Sequence, residues 1–232
     1  MNACLTRPIH ALLGLAGLRC RRLPDLSHDV RPWSLREVHL SAARLLPTRE
    51  HILPLIPTGS RVAEVGVGFG DFSRKILDVV KPREFVAVDL FELHEASKGG
   101  RRRRRLGAAS HEAYYRQQFK QEIDDRIVQI RKGPSHIMLE QLPDDRFDLV
   151  YIDANHAYAR VKRDVEAGRR KLRPGGLLAL DDYERGDPFG LSIYGVKHAA
   201  HELCVNEGWK IVFLALEGAE AACNIVLQRP PV

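Results

Sequence analysis

The segment Tyr151-Ile-Asp-Ala-Asn-His-Ala-Tyr158 delivers a carboxylate, Asp153, and an imidazole, His156, where the apolar run 147–152 ends. An ionised carboxylate beside a sheet core is costly unless something pairs with it, so Asp153 calls for a partner. A second acidic group, Asp181-Asp182-Tyr183, closes another apolar run at 177–180. If the two runs are parallel neighbours, three carboxylates meet on one rim and repel, which pushes a pKa upward. A divalent cation resolves that conflict, and hard oxygen donors favour Mg2+, Ca2+ or Mn2+ over zinc. Asp153, Asp181 and Asp182 are therefore candidate metal ligands. The plainer reading has some of them capping helices or pairing with Arg163 or Arg185. His156 suits a general base, because imidazole titrates near neutrality; its plainer role is a helix-start residue bonded to nearby backbone.

A glycine loop, Val65-Gly-Val-Gly-Phe-Gly-Asp71, forms a second constellation. Gly66, Gly68 and Gly70 allow a tight turn and close approach of backbone to a ligand, and the next helix offers free N–H groups. A dinucleotide fingerprint requires Gly or Ala in its last place; Asp71 stands there, and its charge disfavours a pyrophosphate. A cationic or zwitterionic ligand suits this loop better. Asp89 closes the next apolar run, where a carboxylate can accept both hydroxyls of a ribose or simply cap a turn.

The elements that must position these groups follow from hydrophobic period. Short apolar runs at 62–65, 85–88, 127–130, 147–152 and 177–180 read as strands, and the stretches 72–80, 136–142 and 158–172 between them as helices. Pro174-Gly-Gly176 reads as a turn. A helix over 196–206 and strands at 210–215 and 223–227 follow, the last two close enough for a hairpin that makes the edge antiparallel. Continuous apolar strands alternating with helices imply a parallel sheet covered on both faces, with its ligand crevice at the carboxyl ends of the strands. Residues 1–57 read as a leader and helical cap, with one or two helices over 35–55. Residues 58–232 read as the main α/β domain, carrying a loop insertion at about 92–110.

Glu64, the glycine loop, Asp89 and Leu172-Arg-Pro-Gly-Gly-Leu-Leu178 together resemble class I S-adenosylmethionine-dependent methyltransferases over roughly residues 58–228. That resemblance implies a Rossmann-like, seven-stranded, mostly parallel sheet with helices on both faces and an antiparallel last strand. It places Glu64, Gly66, Gly68 and Gly70 around the methionine end of the cofactor, Asp89 on the ribose, and Leu90 beside the adenine. Ser135, in Gly133-Pro-Ser135, stands where the family lines the adenine edge; the acidic residue frequent there is missing. The YIDANHAY and LALDDY segments are similar to the metal-dependent small-molecule O-methyltransferases of the catechol and antibiotic-tailoring types. By that motif the metal ligands fall on Asp153, Asp181 and Asp182, with Mg2+ the implied ion, and Asp153 also counts among the cofactor-binding and catalytic residues. The proton-accepting lysine of the catechol type is replaced by His156.

The whole-chain totals agree with a soluble enzyme. Apolar residues at 44% and charged ones at 28% exclude a disordered chain or a membrane bundle. The net charge of +6 is concentrated in five arginines, Arg101 to Arg105, and reads as a local basic loop. Four scattered cysteines, at 4, 20, 204 and 223, point to reduced thiols in a cytoplasm. The apolar stretch 11–18 is too short to span a bilayer, and its basic cluster lies on the wrong side for a secretory signal; it suits a homo-oligomer contact or a lid.

The sequence thus leads to a cytoplasmic O-methyltransferase acting on a hydroxyl of a small molecule such as a catechol, sugar or natural product. Its rivals are an RNA or protein methyltransferase using the arginine run, and a non-catalytic cofactor-binding protein. His94, His111 and Tyr183 are secondary candidates near the acceptor. Tyr114, Tyr115 and Phe119 read as packing.

Overall fold

The computed structural model describes residues 33–93, 101–184, 186, 193–216 and 223–231, with side chains of the second stretch from 104 onward. Expectations for the leader, Cys4, Cys20, His94 and Arg185 fall outside the described residues. Eight strands form one sheet: β1 (Arg44–Leu46), β2 (Arg61–Val65), β3 (Glu84–Asp89), β4 (Val128–Lys132), β5 (Phe147–Ile152), β6 (Leu172–Leu180), β7 (Lys210–Ala215) and β8 (Asn224–Gln228). Their order is β1-β7-β8-β6-β5-β2-β3-β4. Only β8 runs antiparallel to its neighbours. The Rossmann-like architecture read from the sequence is therefore present, with two differences at one side. The β7–β8 hairpin does form, yet β8 inserts between β6 and β7, so the antiparallel pairing lies inside the sheet.

The other difference is an eighth strand. The segment 35–55, expected as one or two helices, is instead a short helix α1 (Glu37–Leu40), strand β1 and a 3-10 helix (Arg49–Leu55). Pro47 and Pro54 break the helical period. The partner decides the rest: β1 lies along β7 with Arg44 opposite Phe213 and Leu46 opposite Ala215.

Strand residues divide cleanly between two faces because side chains alternate along a strand. Ala63, Val65, Val86, Val150 and Leu178 enter one core cluster, while Val62, Phe85, Ala87, Leu149 and Ala179 enter the other. The first is covered by α6 (Ser135–Glu140), α7 (Tyr158–Lys171) and α8 (Val196–Glu207); the second by the 3-10 helix, α2 (Asp71–Val80) and α4 (His111–Gln118). Burial on both faces is what makes the central strands mostly apolar.

Two local expectations change. Pro174-Gly-Gly176 is an irregularity inside β6, with Gly175 at φ +74° and a register shift opposite Phe147 and Leu149. Arg229 N–H donates to the Gly176 carbonyl at 2.9 Å and ties this segment to the end of β8. The arginine run is not a loop either: it forms helix α3 (Arg101–Leu106). Arginine is a good helix former, and Leu106 buries at its end. A one-turn helix α5 (Lys120–Asp124) completes the set. Among the described residues no helix is long and apolar enough to cross a membrane, and Cys204 is a buried free thiol.

Candidate active site

Three strand tips carry the site, and backbone hydrogen bonds hold them together. Asp153 N–H donates to the Val65 carbonyl at 2.7 Å, and Asp181 N–H to the Ile152 carbonyl at 3.0 Å. The tips of β2, β5 and β6 are thus in register where β3 and β5 flank β2, the point at which the sheet's winding reverses. Gly66, at φ +86°, turns the chain there. A Cβ added to it would lie 1.8 Å from the Asp153 carbonyl oxygen, so the loop is pressed directly on the β5 tip. Gly70, also left-handed, starts α2; a Cβ there would meet the Phe119 ring at 2.5 Å.

Asp89 secures the loop from the other side. Its Oδ2 accepts the Val67 N–H at 2.9 Å and the Gly68 N–H at 3.3 Å, and its Oδ1 accepts the Phe91 N–H at 2.6 Å. The carboxylate therefore caps the turn, and Asp89 also lines the crevice. His111 adds a third fastening that the sequence did not suggest. Buried completely, it takes the Leu93 N–H on Nδ1 at 3.5 Å, which leaves Nε2–H to donate to the Gly68 carbonyl at 2.5 Å. It is not an exposed loop histidine; the signal was its place at the start of a helix capped by Ser110.

A cavity of about 550 Å³ opens beside this loop. Gly66, Gly68, Asp89, Leu90, Ser135 and Asp153, all read as cofactor residues, line it. Glu64 and Gly70 do not. Glu64 is 1% exposed under the loop and takes a 2.5 Å hydrogen bond from Ser73, which in turn accepts from Tyr115 at 3.0 Å. Burial pushes its carboxyl up to about 8, against the Ser73 bond. The folded state thus holds a proton there that the unfolded chain releases near pH 4.5. Glu64 consequently costs stability as pH rises from about 4.5 through about 8. The Glu64→Gln variant should lose that slope and melt at a more nearly constant temperature between pH 5 and 9, as thermal denaturation at several pH values would record. A variant as pH-sensitive as the parent would contradict this.

The partner that Asp153 requires is Arg49, on the 3-10 helix, together with His156. The Arg49 guanidinium lies 3.2 Å from Asp181, 3.6 Å from Asp153 and 3.1 Å from the Tyr151 hydroxyl, and covers the Phe72 ring at 4.6 Å. Burial opposes its charge, but Tyr151, Asp181 and Asp153 raise its pKa. No motif marks Arg49 in the sequence. Its replacement by Met should cost about 2–3 kcal/mol, the low side for a buried pair because the guanidinium is partly exposed. Chemical denaturation would measure it.

Of the three carboxylates expected around one ion, Asp153 and Asp182 converge with His156, while Asp181 turns toward Arg49. Asp182 adopts φ +56°, so consecutive side chains leave the β6 tip in different directions. Asp181, 7% exposed, turns to Arg49, whereas Asp182 Oδ2 reaches 2.9 Å from His156 Nε2, an ion-pair distance without hydrogen-bond alignment. Burial and the neighbouring Asp153 charge raise Asp181; its buried Oδ1 has no donor and faces a carboxylate, the arrangement of a shared proton. Asp153 is held low despite burial by His156, Asp181 and Arg49. The atoms that do converge belong to Asp153, His156 and Asp182, within 4.8 Å of one another. Burial lowers His156, but Asp153 and Asp182 prevail and lift it to about 9. Its ring also meets Tyr194 edge-on at 4.8 Å.

Two secondary expectations resolve simply. Tyr183 does not line the cavity; its hydroxyl bonds His201 Nε2 at 2.5 Å. Tyr115 and Phe119 are fully buried packing, as read. Asp71 is matched by Arg105, which also covers Phe69 at 4.4 Å, so its charge is compensated on the protein and does not face the cavity.

A mostly parallel sheet with a glycine loop, a strand-end carboxylate and a crevice at its reversal point defines a Rossmann-like domain built to hold a nucleoside-type cofactor. The chain belongs to a methyltransferase domain family, matched over residues 63–183, and its fold is that of S-adenosylmethionine-dependent methyltransferases. Similar solved structures include a SAM-dependent methyltransferase from Aquifex aeolicus, at 14% identity and TM-score 0.51, covering 83% of this chain and 92% of that one. The B. subtilis M1A22 tRNA methyltransferase TrmK matches at 17% identity and TM-score 0.52, over 80% of this chain and 66% of its own. Spermidine synthase from Thermotoga maritima matches at 14% identity and TM-score 0.51, over 80% of this chain; the chain spans 58% of that protein. At such identities the likeness is one of fold alone. No curated protein matches the sequence.

Proposed function

We propose that the protein methylates a hydroxyl oxygen of a small molecule, with S-adenosylmethionine in the cavity as donor and a divalent cation, Mg2+ or Mn2+, at the rim. One observation carries this reading: Asp153 both lines the cavity and belongs to the cluster with His156 and Asp182. In this reading the donor's methyl group and the acidic cluster meet at that side chain. The carboxylates of Asp153 and Asp182, converging within 4.8 Å beside the His156 imidazole, fit a divalent cation held through oxygen, which leaves His156 Nε2 to take a proton. Asp181, turned to Arg49, lies outside the atoms that converge in this arrangement.

When bound, such a cation would neutralise the carboxylates that lift His156, and would polarise the acceptor hydroxyl and lower its pKa. In the reaction His156 Nε2 collects the hydroxyl proton and Asp182 holds the resulting imidazolium. The acceptor oxygen attacks the sulfonium methyl in line; the O–C bond forms as the C–S bond breaks, and the electron pair leaves on sulfur. Asp153 orients the imidazole and walls the donor from water. An acceptor with two neighbouring oxygens, such as a catechol or a sugar diol, suits this rim. Within the arginine run, Arg105 is spent on Asp71 and Phe69.

Labelled S-adenosylmethionine, a panel of catechols and diols, and Mg2+ or Mn2+ should yield O-methylated product. Full turnover in excess chelator would sink the cation, and labelling of RNA or protein in place of the panel would sink the acceptor class. Replacing His156 with Ala should lower kcat by about 10²- to 10⁴-fold, the usual worth of a positioned base, with donor affinity nearly intact. An unchanged rate would retire its role.

A further inference from the structure

Trp33, just before α1, is bound to α8 by both its side chain and its backbone. Its indole N–H donates to His198 Nε2 at 3.1 Å, and its carbonyl lies 3.3 Å from His201 Nδ1. The two histidines stand three residues apart, so they share one face of α8. Each leads onward to one side of the His156–Asp182 pair. The His198 ring meets Tyr158 edge-on at 4.7 Å, two residues after His156. That segment is held against the start of α8: Gly195 N–H donates to the His156 carbonyl at 2.7 Å, and a Cβ on Gly195 would lie 2.2 Å from the Tyr158 Cα. On the other side, the Tyr183 hydroxyl bonds His201 Nε2 at 2.5 Å. Tyr183 follows Asp182 directly, and its own N–H donates to the Cys223 carbonyl at 2.7 Å. An indole N–H can only donate and a carbonyl can only accept. The first bond therefore requires a bare His198 Nε2; the second puts the His201 proton on Nδ1 and leaves Nε2 to accept from Tyr183.

We propose, resting on the reading of His156 and Asp182 as reacting groups, that Trp33 positions that pair through His198 and His201 and does so only while His198 is neutral. Protonation of His198 would set N–H against N–H and break the bond to the indole. Trp33, Tyr158 and the Glu202 carboxylate face His198, and Glu202 is held by the Tyr158 hydroxyl at 2.8 Å and Lys162 Nζ at 2.9 Å. Glu202 favours the charged ring and the indole favours the neutral one, so falling pH sets them in opposition. Around His201 stand Tyr183, Trp33, Lys197, His198 and His39. Burial lowers the His201 pKa, against the Trp33 carbonyl and together with Lys197, His198 and His39, so this ring stays neutral as well.

Hydrogen exchange, kinetics and indole proton resonances on the full chain test this. Trp33→Phe keeps an aromatic ring and removes the donor. It should speed exchange at the Gly195 and Tyr183 amides, and lower kcat, by about 5- to 10-fold, the worth of one hydrogen bond, with donor affinity unchanged. His198→Phe keeps a ring against Tyr158 without the acceptor and should behave alike. With only two tryptophans in the chain, the indole signals are readily followed. The Trp33 signal should move on acidification from about pH 8 to about pH 5.5 in the parent. It should stay put in His198→Gln, whose amide oxygen accepts without titrating. An indole signal unmoved by acid in the parent would overturn the proposal even where a variant fails to fold. Unchanged exchange at Gly195 and Tyr183 in Trp33→Phe would overturn it too, as would faster exchange spread evenly over the sheet, the mark of a merely structural residue. Absence of turnover in the parent would instead bring down the reaction reading, while exchange and resonance still decide whether Trp33 fixes the two segments.

Discussion

Gly66→Ala is expected to destroy donor binding, with S-adenosylhomocysteine affinity falling by about 10²-fold or more and the melting temperature dropping with it. The added carbon would lie 1.8 Å from the Asp153 carbonyl oxygen and 2.5 Å from its carbonyl carbon, both backbone atoms that cannot swing aside. Relief requires separating the β2 and β5 tips, which breaks the 2.7 Å bond from Asp153 N–H to the Val65 carbonyl. The left-handed φ of +86° adds about 1 kcal/mol of backbone strain for a residue with a side chain. Gly208→Ala is the control. Gly208 is also left-handed, at φ +71°, but a Cβ there meets nothing within 4 Å, so it should lose only the strain and bind normally. Titration calorimetry and thermal melting on both variants check the pair; a Gly66→Ala protein binding like its parent would refute the close approach of loop and strand tip.

Asp153→Asn should lower kcat by about 10³-fold while donor affinity changes less than about tenfold. The amide keeps the side chain's volume at the cavity wall but removes the charge that faces Arg49 and His156. His156 then loses one of the two carboxylates that lift it, and its pKa should fall from about 9 toward the ordinary imidazole value. Proton resonances of the imidazole followed through a pH titration would register that fall separately from turnover. If kcat fell without any movement of the His156 titration, Asp153 would act on the donor alone.

Much of the fold was legible because the sheet is buried on both faces. Strands such as 85–88 and 149–152 are then unbroken apolar runs, and the tips carrying Asp89, Asp153 and Asp181 follow from where those runs stop. Six of the residues read as cofactor contacts do line one cavity for that reason. What failed depends on partners distant in the chain. Strand β1 exists because β7 offers an edge, and nothing local distinguishes Arg44-Leu45-Leu46 from a helix turn. Arg49 reaches Asp181 across 132 positions of sequence, so the partner that the acidic rim demanded could be required but not named. Asp181 and Asp182 are adjacent and look equivalent; only the left-handed backbone at Asp182 sends them to different partners.

Binding of S-adenosylmethionine or its demethylated product to the purified chain tests the central claim most directly. Isothermal titration should show one site per chain with a dissociation constant in the micromolar range, about −7 to −9 kcal/mol, and ligand-dependent stabilisation in a parallel melt. A flat titration and an unmoved melt at millimolar ligand would mean that the glycine loop and the acidic rim serve some other molecule.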